Sequence, residues 1–157
     1  MQENPMRVSD TAGRPSWDAF WLGLAKFVAE SRSKDPSTKV GCVVVDRENN
    51  VRVLGYNGIP RGVSDSRDRL ERPAKYLWTG HAEENAVAQA ARSGIPLGGC
   101  TAYVTACPCS RCARMLIQSG IARVVYDSRT VTKMDACEFD VAKAMFSESG
   151  ILVTVEG

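Results

Sequence analysis

Hydrophobic positions along the chain follow two patterns, and each predicts its own kind of element. Phe20, Leu24, Phe27 and Val28 recur at helical spacing behind Ser16, a good N-cap, so a helix should begin at Trp17. It should end by the polar stretch 32–39, which carries Pro36. Val40-Gly41-Cys42-Val43-Val44-Val45 is a continuous β-branched run, the mark of a strand buried on both faces. Asp46 to Asn50 reads as a turn, and Val51 to Tyr56 as the partner strand of a hairpin. The helical period returns at Ala82, Ala86, Val87, Ala90 and Ala91, in a stretch to Arg92 rich in helix formers. A strand over 101–105 feeds a helix with Pro108 at its first position. Gly120 should cap that helix in a left-handed conformation, returning Ile121 to the core. A strand at 123–126, a helix at about 136–147 and a strand at 151–155 complete the order. Residues 57–62 and 93–99 read as loops, and 63–78 is the least regular part.

That order, α-β-β-α-β-α-β-α-β, implies an α/β fold with one central sheet and helices on both faces. Residues 1–14 read as a loose, flexible arm and 15–157 as a single domain, a length sufficient for one sizeable core. Composition leaves this unchanged: 44% hydrophobic and 24% charged residues are ordinary globular values. A net charge of +2 is too small for an electrostatic footprint on nucleic acid. No apolar run approaches membrane-spanning length, and the first residues form no secretory signal. Six cysteines in that setting argue for reduced thiols and a cytoplasmic location. Cys42, Cys100 and Cys137 read as small buried hydrophobes.

The remaining cysteines carry chemistry. Thr79-Gly80-His81-Ala82-Glu83-Glu84-Asn85-Ala86 offers one imidazole with a carboxylate two residues later. Thr105-Ala106-Cys107-Pro108-Cys109-Ser110-Arg111-Cys112 offers two thiols at C-x-x-C spacing, on one helix face. Imidazole and thiolate are preferred zinc ligands, and three of them leave a fourth tetrahedral position for water. Such a water ionises near neutral pH, and a carboxylate that does not bind the metal can shuttle its proton. Side chains in the first turn of a helix lean toward its N-terminus, so His81 and Glu83 should reach a common point. A closed structural site with Cys100 or Cys107 as fourth ligand is the competing arrangement, and it leaves Glu83 without a role. A lone C-x-x-C is weak, but H-x-E followed by P-C-x-x-C is the signature of zinc deaminases.

The cluster Arg61, Arg67, Arg69, Arg72 and Lys75 is largely offset by Asp65, Asp68 and Glu71. It reads either as a solvated loop with local ion pairs or as cations for one small anionic group such as a phosphate.

The chain resembles the deoxycytidylate (dCMP) deaminases of the cytidine deaminase-like superfamily. The likeness runs through Arg14-Pro15-Ser16-Trp17-Asp18, Arg32-Ser33-Lys34-Asp35-Pro36, Val40-Gly41 and Gly55-Tyr56-Asn57-Gly58-Ile59-Pro60-Arg61-Gly62. It continues in Lys75-Tyr76, His81-Ala82-Glu83, Asn85-Ala86, Pro108-Cys109, Cys112 and Gln118-Ser119-Gly120-Ile121. The Gly-Tyr-Asn-Gly-x-Pro loop points to this branch of the superfamily, which the zinc motif alone would not. The resemblance implies a three-layer α/β/α sandwich around a mixed five-stranded sheet. It implies His81, Cys109 and Cys112 as ligands of one Zn²⁺, and Glu83 as the proton shuttle. It implies Asn57 and the backbone near Ala82 and Cys107 as substrate contacts; from the basic cluster above come Arg61 and Lys75 as candidate phosphate contacts. The activity implied is hydrolysis of dCMP to dUMP and ammonia, feeding dTTP synthesis. In many relatives the enzyme is a homo-oligomer, often a hexamer, controlled by dCTP and dTTP, with Mg²⁺ accompanying a triphosphate effector. The same zinc chemistry on cytidine, a modified cytosine nucleotide or a guanine-type purine is an alternative, as is an inactive nucleotide-binding zinc module.

The chain departs from the pattern at Glu84, where relatives commonly carry an aliphatic residue. A carboxylate there suits a first helical turn or a subunit contact, or else reshapes the pocket or an effector site. His81 is the only histidine, so a second histidine-bearing zinc site cannot be built.

Overall fold

The computed structural model describes residues 13–130 and 132–157, so most of the expected N-terminal arm lies outside the described residues. Helix α1 (Trp17–Arg32) begins where expected, the Ser16 hydroxyl accepting the Ala19 N–H at 3.2 Å. Strands β1 (Gly41–Val45) and β2 (Val51–Tyr56) form the antiparallel hairpin. Two single-turn helices, α2 (Arg67–Leu70) and α3 (Lys75–Trp78), occupy the stretch whose sequence showed no period. They are fastened locally by an Arg67–Glu71 ion pair at 3.0 Å and by the Arg69 guanidinium 4.0 Å over the Trp78 ring. Then follow α4 (Ala82–Ser93), β3 (Thr101–Val104), α5 (Ser110–Gln118), β4 (Arg123–Asp127), α6 (Ala136–Glu148) and β5 (Leu152–Glu156).

The five strands make one sheet in the order β2-β1-β3-β4-β5. β1 runs antiparallel to β2 and β3, whereas β3, β4 and β5 are parallel, which is the mixed sheet expected. Every residue of β1 is buried, because alternate side chains enter two different cores. Val43 and Val45, with Tyr103 and Val125, meet Trp21, Leu22 and Ala25 of α1. Cys42 and Val44, with Ala102, Val104 and Val124, meet Ala86 and Ala90 of α4, Leu116 of α5 and Phe146 of α6. Arg123 on β4 donates to both oxygens of Asp18, at 2.9 and 2.6 Å, and the Tyr103 hydroxyl donates to the same carboxylate at 2.9 Å. This network ties α1 to the centre of the sheet. No helix among the described residues is long and apolar enough to cross a membrane.

Two expectations are corrected. Pro108 does not open α5: Cys109, with φ −78° and ψ 173°, is its N-cap, and the helix starts at Ser110. The extended backbone at Cys109 puts this thiol ahead of the first turn, facing the other helix. Cys137 is exposed, unlike the buried Cys42 and Cys100, because it sits in the first turn of α6 on the side away from Ala142 and Phe146.

Gly55 sets how closely β2 approaches α4. A Cβ there would stand 2.1 Å from the Ala82 carbonyl oxygen and 2.8 Å from the Ala86 Cβ. Overpacking of this kind costs about 1–3 kcal/mol, so Gly55→Ala should lower the melting temperature by roughly 5–10 °C. Gly23→Ala on the outer face of α1 meets nothing within 4 Å. Because alanine is a better helix former by about 0.5–1 kcal/mol, that variant should melt at or slightly above the parent temperature. Thermal unfolding of the two variants side by side checks both signs.

Candidate metal centre and its pocket

The start of α4 and the start of α5 converge. His81 is the N-cap of α4, Cys109 the N-cap of α5, and Cys112 lies in the first turn of α5. The approach to His81 is held by a two-residue bridge, with Gly58 N–H to Gly80 O at 3.1 Å and Gly80 N–H to Gly58 O at 2.9 Å. Asn85, one turn into α4, donates to the Tyr56 carbonyl at 2.8 Å and completes the tie to the end of β2. A Cβ on Gly80 would stand 2.8 Å from the Asn85 side-chain oxygen, which is why a glycine precedes the histidine.

The His81 Nδ1 lies 3.5 Å from the Cys109 Sγ and 3.4 Å from the Cys112 Sγ. All three ligand atoms fall within 4.8 Å of one another. A tetrahedral zinc with Zn–S of about 2.3 Å and Zn–N of about 2.0–2.1 Å places nitrogen and sulfur ligands about 3.5 Å apart. The trio fits that ion. Neither Cys100 nor Cys107 joins it among the described residues, so the four-ligand closed site is not formed.

The protonation chemistry agrees with the geometry. The Cys112 thiol, with help from His81, pulls Cys109 down to about 3, while the same contact and burial push Cys112 far up. The bond to Cys109 also raises His81. A central cation would allow both sulfurs to be thiolates beside a neutral imidazole.

Beside the trio lies a cavity of about 120 Å³ whose wall includes His81, Ala82, Glu83 and Cys107. Glu83 is 4% exposed, and burial lifts its carboxyl to about 7. Such a group gives and takes a proton near neutral pH.

The other side of the pocket is a buried polar wall. The Asn57 Oδ1 accepts from the Ser33 hydroxyl at 2.6 Å and the Val40 N–H at 2.9 Å, and its Nδ2 donates to the Thr38 carbonyl at 2.7 Å. Lys75, 5% exposed, donates to Asp35 at 2.6 Å and Ser37 at 2.8 Å. Burial would raise Asp35, but the bonds from Lys75, Ser37 and Thr38 outweigh it and hold the carboxyl below its usual range.

Of the residues expected at the site, His81, Ala82, Glu83, Asn57, Lys75, Cys107 and Cys109 line one pocket, with Cys112 behind. Arg61 does not: it reaches across the surface to Gln89 of α4 at 2.5 Å. Arg72, one of the basic cluster read as possible phosphate cations, lies on the wall, as do Asp35, Thr38, Tyr76 and the segment Thr132-Lys133-Met134, to which sequence reasoning gave no pocket role. Asp35-Pro36 stood within the matched stretches and was a usable signal. The segment 132–134 carries no motif at all.

Comparison with known proteins places this architecture. The family described as the cytidine and deoxycytidylate deaminase zinc-binding region matches residues 15–128. An Aliivibrio fischeri protein named as an uncharacterized deaminase in the luxG 3' region is 43% identical over 140 residues, spanning 88% of this chain and 92% of its own. The deoxycytidylate deaminase of Homo sapiens is 35% identical over 141 residues, spanning 86% of this chain and 76% of the human one. The dCMP deaminase of the cyanophage S-TIM5, solved with dCMP and dUMP, shares the fold with a TM-score of 0.73 at 24% identity, covering 91% of this chain and 98% of that one. A match over that much of the sequence, carried on a pocket built around one imidazole, two thiols and a buried carboxyl, makes this chain a member of the cytidine and deoxycytidylate deaminase family.

Proposed function

We propose that the protein hydrolyses dCMP to dUMP and ammonia at the pocket between α4 and α5. The observation that carries this reading is the buried Glu83 opening into the same cavity as a three-ligand centre. In it, His81, Cys109 and Cys112 hold one Zn²⁺, which when bound supplies a polarised water as nucleophile for C4 of the ring. The Glu83 carboxylate takes the proton from the attacking water. It delivers that proton to ring N3, then takes the remaining proton of the hydroxyl now on C4 and passes it to the amino group, which departs as ammonia while C4 becomes a carbonyl. Burial keeps Glu83 poised near neutral pH for both directions of transfer. The backbone at Ala82 and Cys107 borders the pyrimidine edge, and Asn57 lies on the same pocket wall.

Arg72 and Lys133, both exposed and both on the pocket wall, are the cations that meet the substrate phosphate at the mouth. Lys75 is committed to Asp35 and Ser37, so its part is to hold the wall. Self-association is supported by apolar side chains left outside the core, among them Phe20 and Phe27 on α1 and Leu152 and Val155 on β5. Regulation by dCTP and dTTP, with Mg²⁺ accompanying the effector, and a cytoplasmic setting rest on the resemblance and the free thiols.

Four experiments test this reading. Glu83→Gln should keep one zinc per chain by metal analysis and lose at least about 100-fold in kcat, read as loss of cytosine absorbance. Full activity in that variant would overturn the proton route. Stripping the metal with a chelator should abolish turnover, and Zn²⁺ should restore it. Arg72→Ala with Lys133→Ala should raise KM for dCMP roughly ten-fold or more, the scale of a charge-assisted contact, while leaving deoxycytidine turnover unchanged. Lys75→Met breaks a buried ion pair instead, so it should lower the melting temperature rather than change KM alone. Turnover of another base with silence on dCMP would redirect the substrate assignment and leave the zinc chemistry standing.

A further inference from the structure

Glu84 follows the buried Glu83, yet it has no place on the pocket wall. Its carboxylate is engaged elsewhere. Oε2 accepts the backbone N–H of His81 at 2.7 Å, which satisfies a donor at the start of α4 and fixes the backbone that carries the imidazole. The same carboxylate takes the Arg111 guanidinium, with Nε to Oε1 at 2.7 Å and a terminal nitrogen to Oε2 at 3.2 Å. Arg111 lies between Cys109 and Cys112 in the first turn of α5. One carboxylate therefore touches the residue that bears the imidazole and the residue flanked by both thiols.

We propose that Glu84 and Arg111 form a clasp between the two helix N-termini, holding His81 at the spacing from Cys109 and Cys112 that the metal requires. Both are positioning residues, and the inference rests on the metal-binding reading above. An isolated ion pair this exposed, 46% at Arg111 and 19% at Glu84, stabilises little by itself. The clasp differs because the guanidinium fork is planar and bidentate, and the carboxylate it grips is already bonded to backbone. Two rotatable side chains are thereby locked to one geometry. Glu84 thereby adds a charged link between the helices without entering the pocket.

The test measures metal, not turnover. The full-length chain and the variants Glu84→Leu, Arg111→Met and the double variant are titrated with Zn²⁺ against a chromogenic chelator. Their Co²⁺ forms are compared by visible absorption, which reports tetrahedral geometry. Partners that orient ligands typically contribute 10–100-fold to metal affinity, so Glu84→Leu should weaken Zn²⁺ binding about ten-fold and alter the Co²⁺ bands. Arg111→Met should weaken it about three-fold, the scale of a part-exposed pair, because the bond to the His81 N–H survives. The double variant should be no worse than Glu84→Leu alone, since both act through one contact. Losses that multiply would overturn the clasp, as would parent-like affinity in Arg111→Met. Weakened binding that comes only with loss of the far-UV circular dichroism of the metal-free chain would also overturn it. Arg111→Met, altered on a half-exposed side chain, decides alone if Glu84→Leu does not fold. If the parent chain takes up neither Zn²⁺ nor Co²⁺, the metal reading itself fails, whatever the variants do.

Discussion

Two thiols and an imidazole within 4.8 Å of one another cannot all take their metal-binding protonation states without a cation among them. Much of the fold serves to bring those groups together. His81 and Cys109 are both N-caps, so each side chain leaves its helix at the end where the backbone turns from extended to helical. The partial positive charge at two converging helix N-termini favours the thiolate form and the carboxylate of Glu83. It also opposes the approach of a dication, which is why two thiolates are needed beside a neutral imidazole. Cys109, already pulled to about 3, and Cys112, pushed up beside it, describe the same conflict seen from its two partners.

A second constraint acts on the far side of the pocket. The turn from α1 to β1 places Ser33, Asp35, Ser37 and Thr38 around two groups from distant positions in the chain, Asn57 and Lys75. Each buried polar atom there has a partner, and no buried side-chain nitrogen or oxygen among the described residues lacks one. Burying the Lys75–Asp35 pair carries a desolvation cost that hydrogen bonds from Ser37 and Thr38 help offset. The gain is rigidity. A wall made of a satisfied polar network keeps its shape when a ligand arrives, whereas a loop of solvated side chains would have to be ordered first.

Sequence made the sheet and its helices legible because the periodicities are unmixed. The four valines and one cysteine of residues 40–45 can only be a strand buried on both sides, and the alanines of 82–91 only a helix packed closely on it. The metal trio was equally legible, since its residue types and spacing have few other uses. What escaped was held by contacts with no sequence period. Helices α2 and α3 are one turn each, too short to show a hydrophobic stripe, and depend on local pairs such as Arg67–Glu71. Arg61 looked like a phosphate contact because it neighbours a motif loop, but its side chain crosses to Gln89. Lys133 reaches the pocket by the connection between β4 and α6, which sequence distance hides.

The glycines join these two halves of the site. Gly55 lets β2 come against the first turn of α4, and Gly80 lets Asn85 close over the strand that enters His81. The Gly58–Gly80 bridge then couples the loop carrying Asn57 to the same entry. A side chain at Gly55 or Gly80 would move the helix start relative to the loop, so the substrate wall and the metal ligands could not keep one spacing. The stretches 55–58 and 80–86 thus depend on one another through close backbone approach. In the proposed reaction, Ångström-scale placement matters because proton transfer between Glu83 and a ring nitrogen would fall off steeply with distance. The site is therefore specified as much by where side chains are missing as by the four that carry the chemistry.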